Sequence, residues 1–304
     1  MTGRVLILGA SGRFGRNAAD AFWNAGWQVR RFERGTDDLD TSAKGCDLIV
    51  NGWNPSYPDW ASQIPALTRQ VIQAAQKSGA TVAIPGNIYG YGPDAPEQLA
   101  ADTPHRAQNP LGRIRIDMEN AYREAGIRTI ILRSGDFLDT EASGNWFDKI
   151  MIGPLHKGRL IYPGRGDIAH AWAYLPDMAR ALVELAEMRD QLADFEDVPF
   201  PGYRLSGQDM AVALGKVLNR PISLRQMSWL PLHILRPVWP MAGKLLEMRY
   251  LWDKPHWLDN HRFDELLPGF AATAPTAALA LAIKHKVDPD QTVARGTFAR
   301  DQIA

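Results

Sequence analysis

The sequence predicts a doubly wound α/β fold, a parallel sheet covered by helices, with a small C-terminal substrate lobe. Three observations carry that expectation. Short apolar runs alternate with helix-period stripes over the first 135 residues. A glycine turn joins the first run to the first stripe. Beyond residue 135 the alternation loosens and the composition turns to Trp, Pro and His.

Each element follows from its own pattern. Residues 4–8 (RVLIL) are continuously apolar after Arg4, as a strand buried on both faces should be. Phe14, Ala18, Ala21, Phe22 and Ala25 then recur at helical spacing, and Gly26 ends the stripe. Residues 27–32 and 47–51 read as the next two strands. Trp60, Ile64, Leu67, Val71 and Ala75 mark a long helix closed by Ser78 and Gly79. A strand at 81–84 leads into 85–112, a stretch rich in glycine and proline that reads as a long functional loop. Ile114, Met118, Ala121, Tyr122 and Ala125 form another helical stripe before a strand at 127–132. A helix with Pro176 near its start runs to about Met188. Ser206 and Asp209 stand in capping-box spacing for one that runs to about Leu218.

The bulk numbers narrow the function. Among 304 residues, 34 are basic and 34 acidic. Such a balance leaves no electrostatic footprint for nucleic acid or for an acidic membrane face. Cys46 is the single cysteine, so no internal disulfide can form. The N-terminal apolar run is a strand and not a signal peptide. The nearest thing to a membrane span, 229–242, is short, holds three prolines and carries His233 and Arg236. The expectation is a cytoplasmic protein acting on a small molecule, with no nucleic-acid or membrane partner. A homo-oligomer is left open.

The run VLILGASGRFG carries the main chemical signal. A strand precedes it and a helix follows, the context a Rossmann-type phosphate turn requires. Gly9 allows the tight turn, Gly12 lets the backbone approach a pyrophosphate, and Gly15 lets the helix pack near the strand. Ser11, Arg13 and Phe14 lie in the same turn. The helix N-terminus offers free N–H groups and a positive dipole end. The cofactor expected is therefore NADP or NAD. Glu33, at the end of the second strand, would suit the ribose of NAD. Arg34, with Arg13 converging on it from the turn, would suit the 2′-phosphate of NADP, and the balance tips slightly to NADP.

With that turn, the segments CDLIVNGW, IPGNIYGYG, NPLGRIRIDMENAYREAGIRTIILRSGDF, HAWAYLPDMARALVELA and HRFDELLPGF follow in order. Together they resemble the short-chain dehydrogenase/reductase superfamily, in its extended and atypical branch of NAD-dependent epimerase/dehydratase-like proteins. The resemblance covers nearly the whole chain. It implies a dinucleotide domain over 1–135 and 166–205, and a substrate lobe over 136–165 and 206–304. It also implies cofactor contacts from Asn51, Gly52, Trp53, Pro85, Gly86 and Arg115.

The chain departs from that family where the family does its chemistry. A Tyr-x-x-x-Lys pair carries the acid/base work there, and the matching positions here are Leu111 and Arg115. Pro85 stands where a serine is usual. Leu111 cannot transfer a proton, whereas Arg115 can still hold a ribose. Tyr89, just past a strand end, is the candidate replacement acid, with Asn87 as a hydrogen-bond donor to a carbonyl. Asp136 lies at another strand end. His170 and Trp172 sit on a segment that passes beside the substrate in that family. His256 and His261, spaced by five, do not share a helical face and suit a substrate-lobe role better than a metal. Three readings follow: an oxidoreductase on a small carbonyl or alcohol, a non-catalytic dinucleotide-binding sensor or scaffold, and a sugar-nucleotide epimerase or dehydratase.

Overall fold

The computed structural model describes residues 3–287. The part of the expected substrate lobe beyond 287 lies outside the described residues. Six strands make the central sheet: β1 (Arg4–Leu8), β2 (Gln28–Phe32), β3 (Leu48–Asn51), β4 (Thr81–Asn87), β5 (Thr129–Ser134) and β6 (Phe195–Pro199). Their order is β6-β5-β4-β3-β1-β2, and every pairing is parallel. The chain steps from β1 to one side and then to the other. The crevice at that reversal, outside the carboxyl ends of β1 and β3, is where such sheets bind ligands.

Helices cover both faces, because β1, β3 and β5 are buried along nearly their whole length. On one face lie α1 (Arg13–Asn24) and, later in the chain, a helix at Leu175–Glu187, with Phe14, Phe22, Met178 and Leu182 in their shared core. On the other lie α2 (Trp60–Ser78) and α3 (Pro110–Glu124), with Ile64, Val71, Leu111 and Tyr122. Gly79 closes α2 at φ +74°, a left-handed position that suits glycine.

The region read as a long loop is more ordered than its composition suggests. β4 continues through Pro85 and Gly86 to Asn87. Its pairing with β3 ends at Ala83 while that with β5 runs on to Asn87, so a residue without an N–H is tolerated at the freed edge. A 3₁₀ turn follows at Tyr89–Tyr91. A two-residue strand, Gln98–Leu99, pairs with Trp257–Leu258 and ties this region to the C-terminal lobe. α3 begins at Pro110, suited to a helix first turn.

Beside the central sheet stands a second layer of short strands, a three-stranded sheet of Asp136–Leu138, His170–Tyr174 and Tyr203–Leu205 with a pair at Arg159–Tyr162 and Ser223–Gln226. Its core gathers Phe147, Tyr162, Trp172, Trp229, Trp252 and Leu279. The expected capping box at Ser206 and Asp209 is formed in both directions. Phe263 and Leu267, near the end of the described chain, pack back on the α1 face.

Candidate functional site

The glycine turn is built by close backbone approach. Gly9 sits at φ +75°, and its carbonyl accepts the Gly12 N–H at 2.8 Å. A Cβ at Gly15 would stand 2.1 Å from the Gly9 oxygen, so α1 can start this near β1 only with glycine there. Gly52 is equally confined, its Cβ position 2.7 Å from the Leu8 oxygen. No side chain caps α1 and its first turn holds no acid. Its leading amides and dipole therefore face the crevice. Phe14 takes part through its backbone alone, since its ring is buried in the core.

Two adjoining cavities, each of about 510 Å³, open beyond the turn. Gly9, Ala10, Ser11, Arg31 and Glu33 line the first, and Phe32, Arg34 and Trp53 wall both. The Arg34 guanidinium lies 5.1 Å from the centre of the Trp53 ring, a cation–π contact. Glu33 is exposed on the same rim, its N–H donated to Asp37 at 2.9 Å. Arg13 does not converge on Arg34 as expected. Its Nε and one Nη donate to the carbonyls of Ser143 and Gly144, both at 2.7 Å, so it straps the lobe to the turn. Arg31 takes the place on the cavity wall that Arg13 was expected to fill.

A second cluster lies past β3 and β4. Asn51 is buried, its Nδ2 donating to the Tyr122 hydroxyl at 3.0 Å and its Oδ1 accepting the Trp53 N–H. It shapes the strand end. Asn87 has a similar task, its Oδ1 accepting the Tyr89 N–H at 3.0 Å in a local turn. Gly112 then lets α3 close on the Tyr89 carbonyl, 2.6 Å from where its Cβ would be. Tyr89 is thereby fixed with its hydroxyl 2.6 Å from that of Tyr57. Trp60 packs against both rings, and the Arg115 guanidinium lies 4.2 Å from the centre of the Trp60 ring.

Burial dominates the electrostatics there. It pushes both tyrosine hydroxyls above their ordinary value, Tyr89 most, with Tyr57 and the Asp136 carboxylate adding to the rise at Tyr89. Burial likewise pulls Arg115 down. One Nη of Arg115 donates to Asn54 at 2.9 Å, while its buried Nε has no protein partner. Leu111 is core, and Glu247 accepts its N–H at 2.6 Å.

Asp136 and His170 form a pair that sequence reasoning did not join, His170 Nε2 lying 2.7 Å from the carboxylate. Asn87 and Ser134 are register partners, and Tyr89 and Asp136 each lie two residues beyond them. That register brings the carboxylate to the tyrosine side of the cleft. His170 stacks on Trp252, and His256 meets it edge-on with its Nε2 buried and unpartnered. Tyr57 was also missed. The signal available was its place in NGWNPSYPDW, an aromatic-rich loop leaving a strand's carboxyl end.

Beneath the cleft, Arg133 is wholly buried between Glu119 and Asp197. Burial alone would raise the Glu119 carboxyl, but the guanidinium outweighs it and holds the group below its ordinary value. His105, Glu119 and Asp197 come within ligating distance of one another. Arg133 donates to both oxygens of each carboxylate, so its guanidinium supplies the positive charge between them and the cluster reads as an ion network.

No protein-family model and no curated protein matches the chain in sequence. Solved structures match it in fold. MoeE5 in complex with UDP-glucose and NAD is 16% identical with a TM-score of 0.72, covering 92% of this chain and 97% of that one. A nucleoside-diphosphate-sugar epimerase from Pseudomonas aeruginosa is 16% identical, with a TM-score of 0.68 over 93% of this chain and 97% of its own. A dTDP-4-dehydrorhamnose reductase from Bacillus anthracis in complex with NADP is 14% identical, with a TM-score of 0.66 over 94% and 100%. The shared architecture is the Rossmann-type fold with a C-terminal lobe. It is the fold that the family resemblance implied.

Proposed function

We propose that the protein binds a nicotinamide dinucleotide along the carboxyl ends of β1, β2 and β3, and serves as an oxidoreductase on a small carbonyl or alcohol. The observation that carries this reading is the uncapped start of α1, held against β1 by Gly9 and Gly15 and opening on cavities walled by Arg34 and Trp53. The residues fit such a group. The backbone from Ser11 to Gly15 would take the pyrophosphate. Arg34 and Arg31 would take the phosphate-bearing ribose of NADP, with Glu33 able to serve NAD. Gly52, Trp53, Pro85 and Gly86 line the strand ends, and the unpartnered Nε of Arg115 suits the second ribose. When bound, the dinucleotide supplies or accepts hydride.

The chain's own part is to orient the substrate and move a proton. Tyr89 is the proposed acid. Its hydroxyl carries its proton at neutral pH, as any tyrosine at or above its ordinary value does, and Tyr57 holds it in place through the 2.6 Å contact. Neighbouring positive charge at Arg115 would favour the phenolate left after transfer. The tyrosines thus supply from another element the proton that Leu111 cannot. The two-lobe division over 1–135 with 166–205, and 136–165 with 206–304, belongs to the same proposal.

Titration with NADPH and NADH, followed by tryptophan fluorescence, tests the binding half, with NADPH expected to bind more tightly. A panel of carbonyls and alcohols, followed by the absorbance of the reduced nicotinamide, tests the chemistry. No response to either dinucleotide overturns the whole reading. Binding without turnover selects the sensor or scaffold. A second catalytic reading, a sugar-nucleotide epimerase or dehydratase, is supported by fold neighbours of which one is a nucleoside-diphosphate-sugar epimerase and another holds UDP-glucose and NAD. Protein that retains oxidised dinucleotide together with a nucleotide sugar would select it.

A further inference from the structure

Among the described residues no helix is long and apolar enough to cross a membrane. The segment once nearest to that description does something else. Helix Leu230–Leu235 and the turn after it direct large apolar side chains outward. Leu230, Ile234 and Val238 are 63%, 67% and 79% exposed, and Leu235 and Trp239 are exposed beside them. Trp229 and Leu232 meanwhile pack inward on the lobe core, so the segment is apolar on both sides. A contiguous exposed patch of this kind on one segment marks a docking surface.

Its charge indicates what docks. From residue 210 to 246 there is no Asp or Glu, and Arg236 lies within the patch itself, whereas Lys244 is paired with Glu247 and Arg220 donates to the carbonyls of Leu155 and His156. A second copy would bring the Arg236 charge to a two-fold interface with no acidic side chain of the patch to meet it, which costs association. An anionic bilayer complements it. Apolar and tryptophan side chains that enter the headgroup boundary beside basic residues describe a surface that lies on a membrane without spanning it.

We infer that residues 230–239 form a docking patch for anionic phospholipid surfaces. The patch leads directly into an element that packs on the body of the protein. Helix Pro240–Glu247 begins where the patch ends and packs against the Tyr57–Asp59 turn, and Glu247 accepts the Leu111 N–H on α3. The inference stands on the surface alone and does not require the dinucleotide chemistry.

Co-sedimentation of the full chain with phosphatidylcholine vesicles, with and without phosphatidylglycerol, tests it. Binding is expected only to the anionic vesicles and should weaken with salt. Arg236→Gln should lower partitioning about fivefold. A variant carrying Ile234→Glu and Val238→Glu should abolish it with an unchanged melting curve, since both side chains lie outside the core. Wild-type protein left in the supernatant with both vesicle types overturns the proposal. So does a double variant that binds as wild type, or a wild-type dimer that the double variant converts to monomer without any vesicle binding in either form.

Discussion

Replacing Gly15 by alanine adds one methyl group at the point where α1 meets β1. That carbon would stand 2.1 Å from the Gly9 oxygen, 2.7 Å from the Gly9 carbonyl carbon and 3.1 Å from the Ala10 Cα. The shortest of these is roughly 1 Å inside van der Waals contact. All three neighbours are backbone, so no flexible side chain can yield and the helix start must lift. Overpacking of this sort costs about 1–3 kcal/mol. In a chain of this size each kcal/mol lowers the melting temperature by about 1.5 °C. The leading amides move with the helix, and a degraded hydrogen bond to a charged phosphate forfeits about 1.5–3 kcal/mol. Dinucleotide affinity should therefore fall about tenfold or more. Calorimetric titration with NADPH and thermal melting by circular dichroism read the two effects. Gly12→Ala is the control. Its φ of −80° suits any residue, and its Cβ would lie a milder 3.1 Å from the Gly9 oxygen. It should spare stability and weaken binding through crowding at the phosphate face. A Gly15→Ala protein that melts lower yet binds as wild type would refute the assignment of this turn to a phosphate.

Three other outcomes follow from the site. Tyr89→Phe keeps the ring against Trp60 and removes the proposed acid, so steady-state turnover should drop about 10²-fold or more with dinucleotide affinity unchanged; equal turnover would remove Tyr89 from the chemistry. Burial drives the His256 imidazole from its ordinary 6.5 to about 3, with His170 adding to the fall. The stability contributed by its neutral form is complete above pH 6.5 and declines as pH drops from there toward 3, by up to about 1.4 kcal/mol per pH unit. Urea denaturation above and below that pH should therefore show a wild-type loss that His256→Asn lacks, and parallel losses would show that another group is responsible. Arg133→Met leaves Glu119 buried and Asp197 half-buried without their counter-ion, and should destabilise by about 3 kcal/mol or more. A denaturation midpoint close to wild type would show that the network relaxes at little cost.

What the sequence determined is what local chemistry decides. Runs such as RVLIL declare a buried strand without knowledge of their neighbours, and the periods of α1, α2 and α3 declare their faces in the same way. The three-glycine turn was equally legible, because it depends on the backbone freedom of residues within one short segment. So was the loss of a proton donor at Leu111. Tertiary structure decided everything that required distant segments to meet. Arg13 is spent on carbonyls about 130 residues away, Tyr57 finds Tyr89 across 32, and Asp136 finds His170 across 34. Pro85 and Gly86 read as loop, yet they continue a strand because β5 pairs along them. Side-chain partners of this kind are set by strand register and by how closely α3 can approach Tyr89. Neither leaves a periodic trace in the sequence, because each is a property of two surfaces and not of one.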